Sequence, residues 1–117
     1  MRNTLKLGSL LLIAAATGCA TNSPTLRTES STSAIRAAEE IGASDSPRAA
    51  FHLEAAQEEL ARAKVLAENG DNDQAGSLLL RAEADAELAI LLSREQNEKA
   101  DATLAVERVR KLQSDNR

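Results

Sequence analysis

One thiol, one imidazole and 18 Asp and Glu side chains are the groups in this 117-residue chain that could do chemistry. Their spacing brings few of them together. Cys19 closes an apolar run and precedes a polar one. His52 has no second histidine or downstream cysteine to join it, and its neighbour Leu53 falls on an apolar stripe. The imidazole is therefore expected at a helix boundary, where titration near neutrality is its one special property. Metal sites need clustered His, Cys or carboxylates. Asp71-x-Asp73 opens like a calcium loop but lacks the glycine and closing glutamate of that motif. Glu83, Asp85 and Glu87 alternate between helix faces, and Glu39-Glu40, Glu58-Glu59 and Arg94-Glu95 read as solvated faces. No Ser/His/Asp set, phosphate loop or glycine fingerprint is present. The chain is expected not to be an enzyme, and to need no metal or cofactor.

The thiol has a better context than the imidazole. Arg2 and Lys6 form a positive start, and Leu7 to Ala16 form an uncharged, mostly apolar run. Small residues follow, which is the anatomy of an export signal. The run is shorter than the ~20 residues that span a bilayer. Ala16-Thr17-Gly18-Cys19 resembles the lipobox of bacterial lipoproteins, with Ala16 where leucine is usual. That resemblance implies a diacylglyceryl group on the Cys19 thiol and acylation of the amine freed by cleavage. Plain secretory cleavage after Ala14-Ala15-Ala16 is the alternative reading. Each buried CH₂ contributes ~0.8 kcal/mol, so two or three acyl chains make an effectively permanent anchor. Ala20 rather than Asp follows the cysteine, which in enterobacterial lipoproteins resembles an outer-membrane cargo. The expected organisation is a lipoprotein signal over 1–18, a lipidated cysteine and flexible linker over 19–32, and a helical domain over 33–117.

Cleavage before Cys19 removes Arg2 and Lys6 and leaves 12 basic against 18 acidic side chains, a net charge of −6. No basic face exists to hold nucleic acid. Cys19 is the single cysteine, so no internal disulfide can form. Pockets and interface hot spots lean on aromatic residues, and the chain offers one Phe and neither Tyr nor Trp. No small-molecule substrate is apparent.

The elements that position these residues are helices. Residues 20–31 are rich in Ser and Thr, contain Pro24 and lack an apolar period, so a spacer is expected there. A short first helix runs from about Ser33, its cap, to Ile41, with Ile35, Ala38 and Ile41 on one stripe. Gly42 ends it. Ser46-Pro47 starts the second helix, expected to about Glu68. Its Ala49, Leu53, Ala56, Leu60, Ala63 and Ala67 are spaced alternately by four and three, a seam for shallow-angle packing. Phe51 lies off the seam, placed to cover the first turn. Asn69-Gly70-Asp71 is a break short enough to force an antiparallel hairpin, with Gly70 past the helix end and Asp71 or Asn72 capping the next helix. The third helix is expected from about Asn72 toward Ser114, ~65 Å long against ~33 Å for its partner. One broad apolar face holds Ala75, Leu78, Leu79, Ala82, Ala86, Ala89, Ile90 and Leu92; Leu80, Ala84, Leu88 and Leu91 make a second. Such a helix is covered on more than one side, and helix 1 is the one internal candidate to cover the second face. Past Arg94 the pattern thins to Ala102, Leu104, Ala105, Val106, Val109 and Leu112. The fold class is all-α: a short helix, then an antiparallel hairpin whose last helix is long.

The stretch SAIRAAEEIGASDSP…LARAKVLAENGDNDQAGSLLLRAEADAELA resembles the bacterial lipoprotein family called "domain of unknown function 4398" over roughly residues 33–100. The shared features are a helix ending in Ile-Gly-Ala, a Pro-started helix, a Gly-Asp break and Glu-Ala-Asp-Ala within an Ala-rich third helix. Members are typically lipoproteins, often associated with a peptidoglycan-binding domain of the outer-membrane-protein-A type, which is not read in this sequence. The resemblance implies an envelope location and carries over no chemistry. The expected function is a non-enzymatic structural or adaptor lipoprotein. It would be anchored by lipid at Cys19, most simply in the outer membrane facing the periplasm. It would meet a protein partner, or copies of itself, through helix 3. The alternative is a chaperone-like module holding a peptide or helix against the second apolar face. Whether that face is covered separates an element that needs a partner from a self-sufficient hairpin.

Overall fold

The computed structural model describes residues 24–116. The signal over 1–18, Cys19 and residues 20–23 lie outside the described residues. Three helices follow in order: α1 (Pro24–Glu40), α2 (Pro47–Glu68) and α3 (Asn72–Asp115), with a 3-10 turn at Ala43–Asp45 between the first two. No strand occurs among the described residues, so the fold is all-α. Both connections are short, so α1 and α3 each run antiparallel to α2.

The first helix departs from the sequence reading. It opens at Pro24 rather than Ser33, so residues 24–32 belong to the bundle and not to a flexible linker. Ser33, the expected cap, lies inside the helix and is exposed. The reason lies in Ser31, whose hydroxyl is fully buried and within donating reach of the carbonyls of Arg27 and Leu79, each at 2.8 Å. A single proton serves one of these carbonyls at a time. The Thr32 hydroxyl likewise donates back to the Thr28 carbonyl, at 2.7 Å. Ser30 binds the Glu83 carboxylate of α3. Ser31, Ile35 and Ala38 form the buried stripe of α1, so the helical period continues upstream through a hydroxyl residue instead of an aliphatic one. A proline also suits the first turn, where its missing N–H is no loss.

The hairpin follows the expected seam. Ala49, Leu53, Ala56, Leu60 and Ala63 of α2 face Leu79, Ala82, Ala86 and Ala89 of α3 in one core. Ala75 of α3 is also fully buried. Alanine at so many contacts lets the two backbones approach closely. At the turn the Gly70 N–H donates to the Ala67 carbonyl at 3.1 Å and the Asp71 N–H to the Leu66 carbonyl at 2.9 Å. This is a Schellman pair, and Gly70 takes the left-handed conformation it requires, φ 87°. Gly42, φ 81°, plays the corresponding part after α1; a Cβ there would lie 2.8 Å from an Asp45 carboxylate oxygen. Pro47 opens α2 as expected, but neither Ser46 nor Asp71 caps its helix with a side chain. Phe51 does not cover the first turn. It is 67% exposed and rests edge-on against His52.

The bundle stops at Ser93, the last buried residue of α3. The helix does not. It continues to Asp115 with every residue after Ser93 exposed, a projection of ~33 Å at 1.5 Å per residue. Among the described residues no helix is long and apolar enough to cross a membrane.

Candidate protein-interaction surface

Two features beyond the core deserve a functional reading: a charged cluster on one flank of the hairpin, and an apolar stripe on the outside of α3.

The cluster joins α2 and α3. His52 Nδ1 lies 2.8 Å from Asp85 Oδ1. One heptad further along α2, Glu59 pairs with Arg81, which stands one turn before Asp85 on α3. Glu59 is buried, which corrects its reading as part of a solvated face. It sits beside Ala56 and Ala63 on the packed side of α2, while its sequence neighbour Glu58 points outward. One carboxylate oxygen meets Arg81, and Oε2 is buried with no hydrogen-bond partner. Burial pushes the Glu59 carboxyl above the usual glutamate range, Arg81 pulls against it, and nearby Asp85 adds to the rise. Arg81 is largely solvated. The arrangement ties two helices together at a flank. His52 thus sits at the helix boundary, as its position next to Leu53 implied. The sequence reading does not join His52 and Asp85 to the Glu59–Arg81 pair on the same flank. The signal was present: 52 and 59 share a helix face, and so do 81 and 85. Among the described residues no three His, Cys, Asp or Glu side chains are grouped to hold a metal ion. Asp71 and Asp73 are exposed at the hairpin turn.

The apolar stripe answers the question of coverage. α1 packs against α3 on the side of Leu79 and Glu83, not over the second apolar face. Leu80 is 50%, Leu88 39% and Leu91 59% exposed, and Ala84 is exposed between them. The expectation that helix 1 covers part of this face is therefore not met. The register of α1 is set by the buried Ser31, Ile35 and Ala38, which lead it into the groove shared by α2 and α3. Beyond Ser93, Leu104, Val106, Val109 and Leu112 are each more than half exposed. Lys99 binds Glu95 one turn earlier, which holds the Glu95 carboxyl below the usual range and supports the solvated helix.

A family model described as Domain of unknown function (DUF4398) matches residues 27–105. This chain belongs to that family. No curated protein and no solved structure matches it. The DUF4398 span begins inside α1 and takes in the turns of Ser30 and Ser31, whose composition alone reads as linker. It also runs past Ser93 to Ala105, so the unit includes both the three-helix bundle and the first half of the projecting helix.

Proposed function

We propose that this DUF4398 chain is a non-enzymatic envelope lipoprotein, anchored through Cys19, whose bundle presents α3 to a protein partner as a structural or adaptor module. The observation that carries the reading is the open stripe of Leu80, Ala84, Leu88 and Leu91, followed by a projecting helix with no intramolecular cover. An isolated monomer rarely leaves a contiguous apolar stripe in water without a use for it. The stripe lies on the outside of one helix and has no flanking walls, so it suits packing against another element better than enclosing a peptide. The adaptor reading is therefore preferred to the chaperone-like one.

The anchor rests on the signal anatomy of residues 1–18 and the lipobox-like run ending in Cys19. With α1 starting at Pro24, the four residues 20–23 can reach at most ~14 Å between lipid and bundle. The adaptor would be held close to the membrane surface, and an outer-membrane location follows from Ala20 after the cysteine. Palmitate labelling of wild type and Cys19→Ser tests the anchor, with the wild type expected to label and the variant not. A soluble, unlabelled wild-type protein would sink it. Crosslinking in intact envelopes, read by mass spectrometry, tests the adaptor role: crosslinks are expected from the outer side of α3 and from its projecting end.

A further inference from the structure

The outer side of α3 has a finer pattern than exposure alone. Ala84, Leu88 and Leu91 lead to Glu95 and Glu98 at spacings of four, three, four and three. The same spacings then continue through Ala102, Ala105, Val109 and Leu112. This is a heptad seam running from the bundle into the tail, exposed along its whole length. Beside it, Glu87, Arg94, Asp101 and Arg108 stand seven residues apart, all exposed and alternating in sign.

We propose that this seam docks a second copy of the chain, antiparallel, with Leu91 of each copy against Ala102 of the other. The inference rests on the reading of α3 as the docking element and names its partner. Charge selects both direction and register. In this register Glu87 meets Arg108 of the second copy and Arg94 meets Asp101, and two-fold symmetry repeats both pairs. Sliding by one heptad either way sets Arg94 against an arginine, Arg108 or Arg94, and Glu87 against Asp115 or Asp101. A parallel pairing sets Arg94 beside Lys99. Size agrees with charge: Leu88 meets Ala105, Leu91 meets Ala102 and Val109 meets Ala84, so each of these layers joins a larger residue to an alanine. The two central layers oppose association, because two-fold symmetry sets Glu95 against Glu98 twice. The bundle is no obstacle. Around α3, α1 sits by Leu79 and Glu83, α2 by Arg81 and Asp85, and the seam occupies the remaining sector. A two-fold axis perpendicular to the paired helices then puts both α1 helices on the same side of the dimer, so both anchors can reach one membrane.

Among the described residues every buried one lies between Ser31 and Ser93, so a chain beginning at Ala20 keeps that core and contains no cysteine. In that chain, sedimentation equilibrium is expected to show a monomer–dimer equilibrium. Arg94→Glu should weaken it about tenfold, since it turns two attractions into repulsions. Adding Asp101→Arg in the same chain should restore it. Glu98→Leu should tighten the dimer, while Glu107→Leu, off the seam, should not. For direction, Leu91→Cys and Ala102→Cys variants are mixed and oxidised: the mixed disulfide should form, and Leu91→Cys alone should not link to itself. A self-linked Leu91→Cys dimer would overturn the antiparallel register. A chain that stays monomeric at millimolar concentration, with normal helicity by circular dichroism, would overturn the dimer. Neither result touches the palmitate test, so the anchored reading stands or falls separately.

Discussion

Glu59 shows how one residue can invert a local expectation. On the sequence it is half of a Glu-Glu pair on an amphipathic helix, and such pairs are usually solvated. In the fold it lies under the hairpin flank with one oxygen on Arg81 and the other without a partner. The helix period placed Leu53, Ala56 and Leu60 correctly because apolar burial repeats along the helix. It could not place Glu59, because a buried carboxylate depends on Arg81 and Asp85 of another helix. The consequence is a definite pH dependence. The folded-state pKa of Glu59 is raised, so the folded chain binds this proton more tightly than the unfolded chain does. The contribution of Glu59 to stability is thus fullest below the ordinary glutamate range and is lost as pH rises through the raised value. Glu59→Gln should remove this slope. Its amide can donate to Asp85 while its carbonyl accepts from Arg81, so its stability at pH 7 should be equal to wild type or up to about 1 kcal/mol higher. Urea unfolding of both proteins from pH 4 to 7 measures this, and a large loss at pH 7 in Glu59→Gln would show that the charged pair with Arg81 dominates.

Among the elements, α2, the Gly70 break and the start of α3 could be read directly from apolar spacing and turn residues. The first half of α1 could not, because Ser30, Ser31 and Thr32 look like linker composition and become helical through contacts with Leu79 and Glu83. These contacts imply that α1 is held by close approach more than by hydrocarbon. Ser31→Leu should therefore be worse than Ser31→Ala: overpacking a fully buried site costs ~1–3 kcal/mol, while losing one hydroxyl bond costs ~0.5–1.5 kcal/mol. The two faces of α3 should separate just as clearly. Leu79→Ala, at a position 2% exposed, should cost ~2–5 kcal/mol. Leu91→Ala, 59% exposed, should stay within ~0.5 kcal/mol in the monomer. Chemical denaturation at low protein concentration checks all four variants. Equal losses at 79 and 91 would mean that the outer face is covered in solution.

For the whole molecule, the governing fact is that α3 outlasts its partners. Most helical stability in proteins comes from tertiary packing, and the tail has only local pairs such as Glu95 with Lys99 to hold it. Amide exchange should be slow from Leu79 to Ser93 and fast after Arg94 in a dilute monomer. Protection should spread along the tail as concentration rises and copies pair. Strong protection at high dilution would mean that the tail has an intramolecular partner, which would remove the physical basis for docking there.

The alanine-rich seam has a thermal consequence. Close backbones give good van der Waals contact, but each buried methyl withdraws little hydrocarbon from water. The heat-capacity change on unfolding scales with newly wetted apolar area and averages ~12–15 cal/mol/K per residue in globular proteins. With Ala49, Ala56, Ala63, Ala82, Ala86 and Ala89 supplying half of the core, and the last turns of α3 burying nothing, calorimetry should find a value below that range. The stability curve would then be shallow, changing little between a cold environment and a warm one.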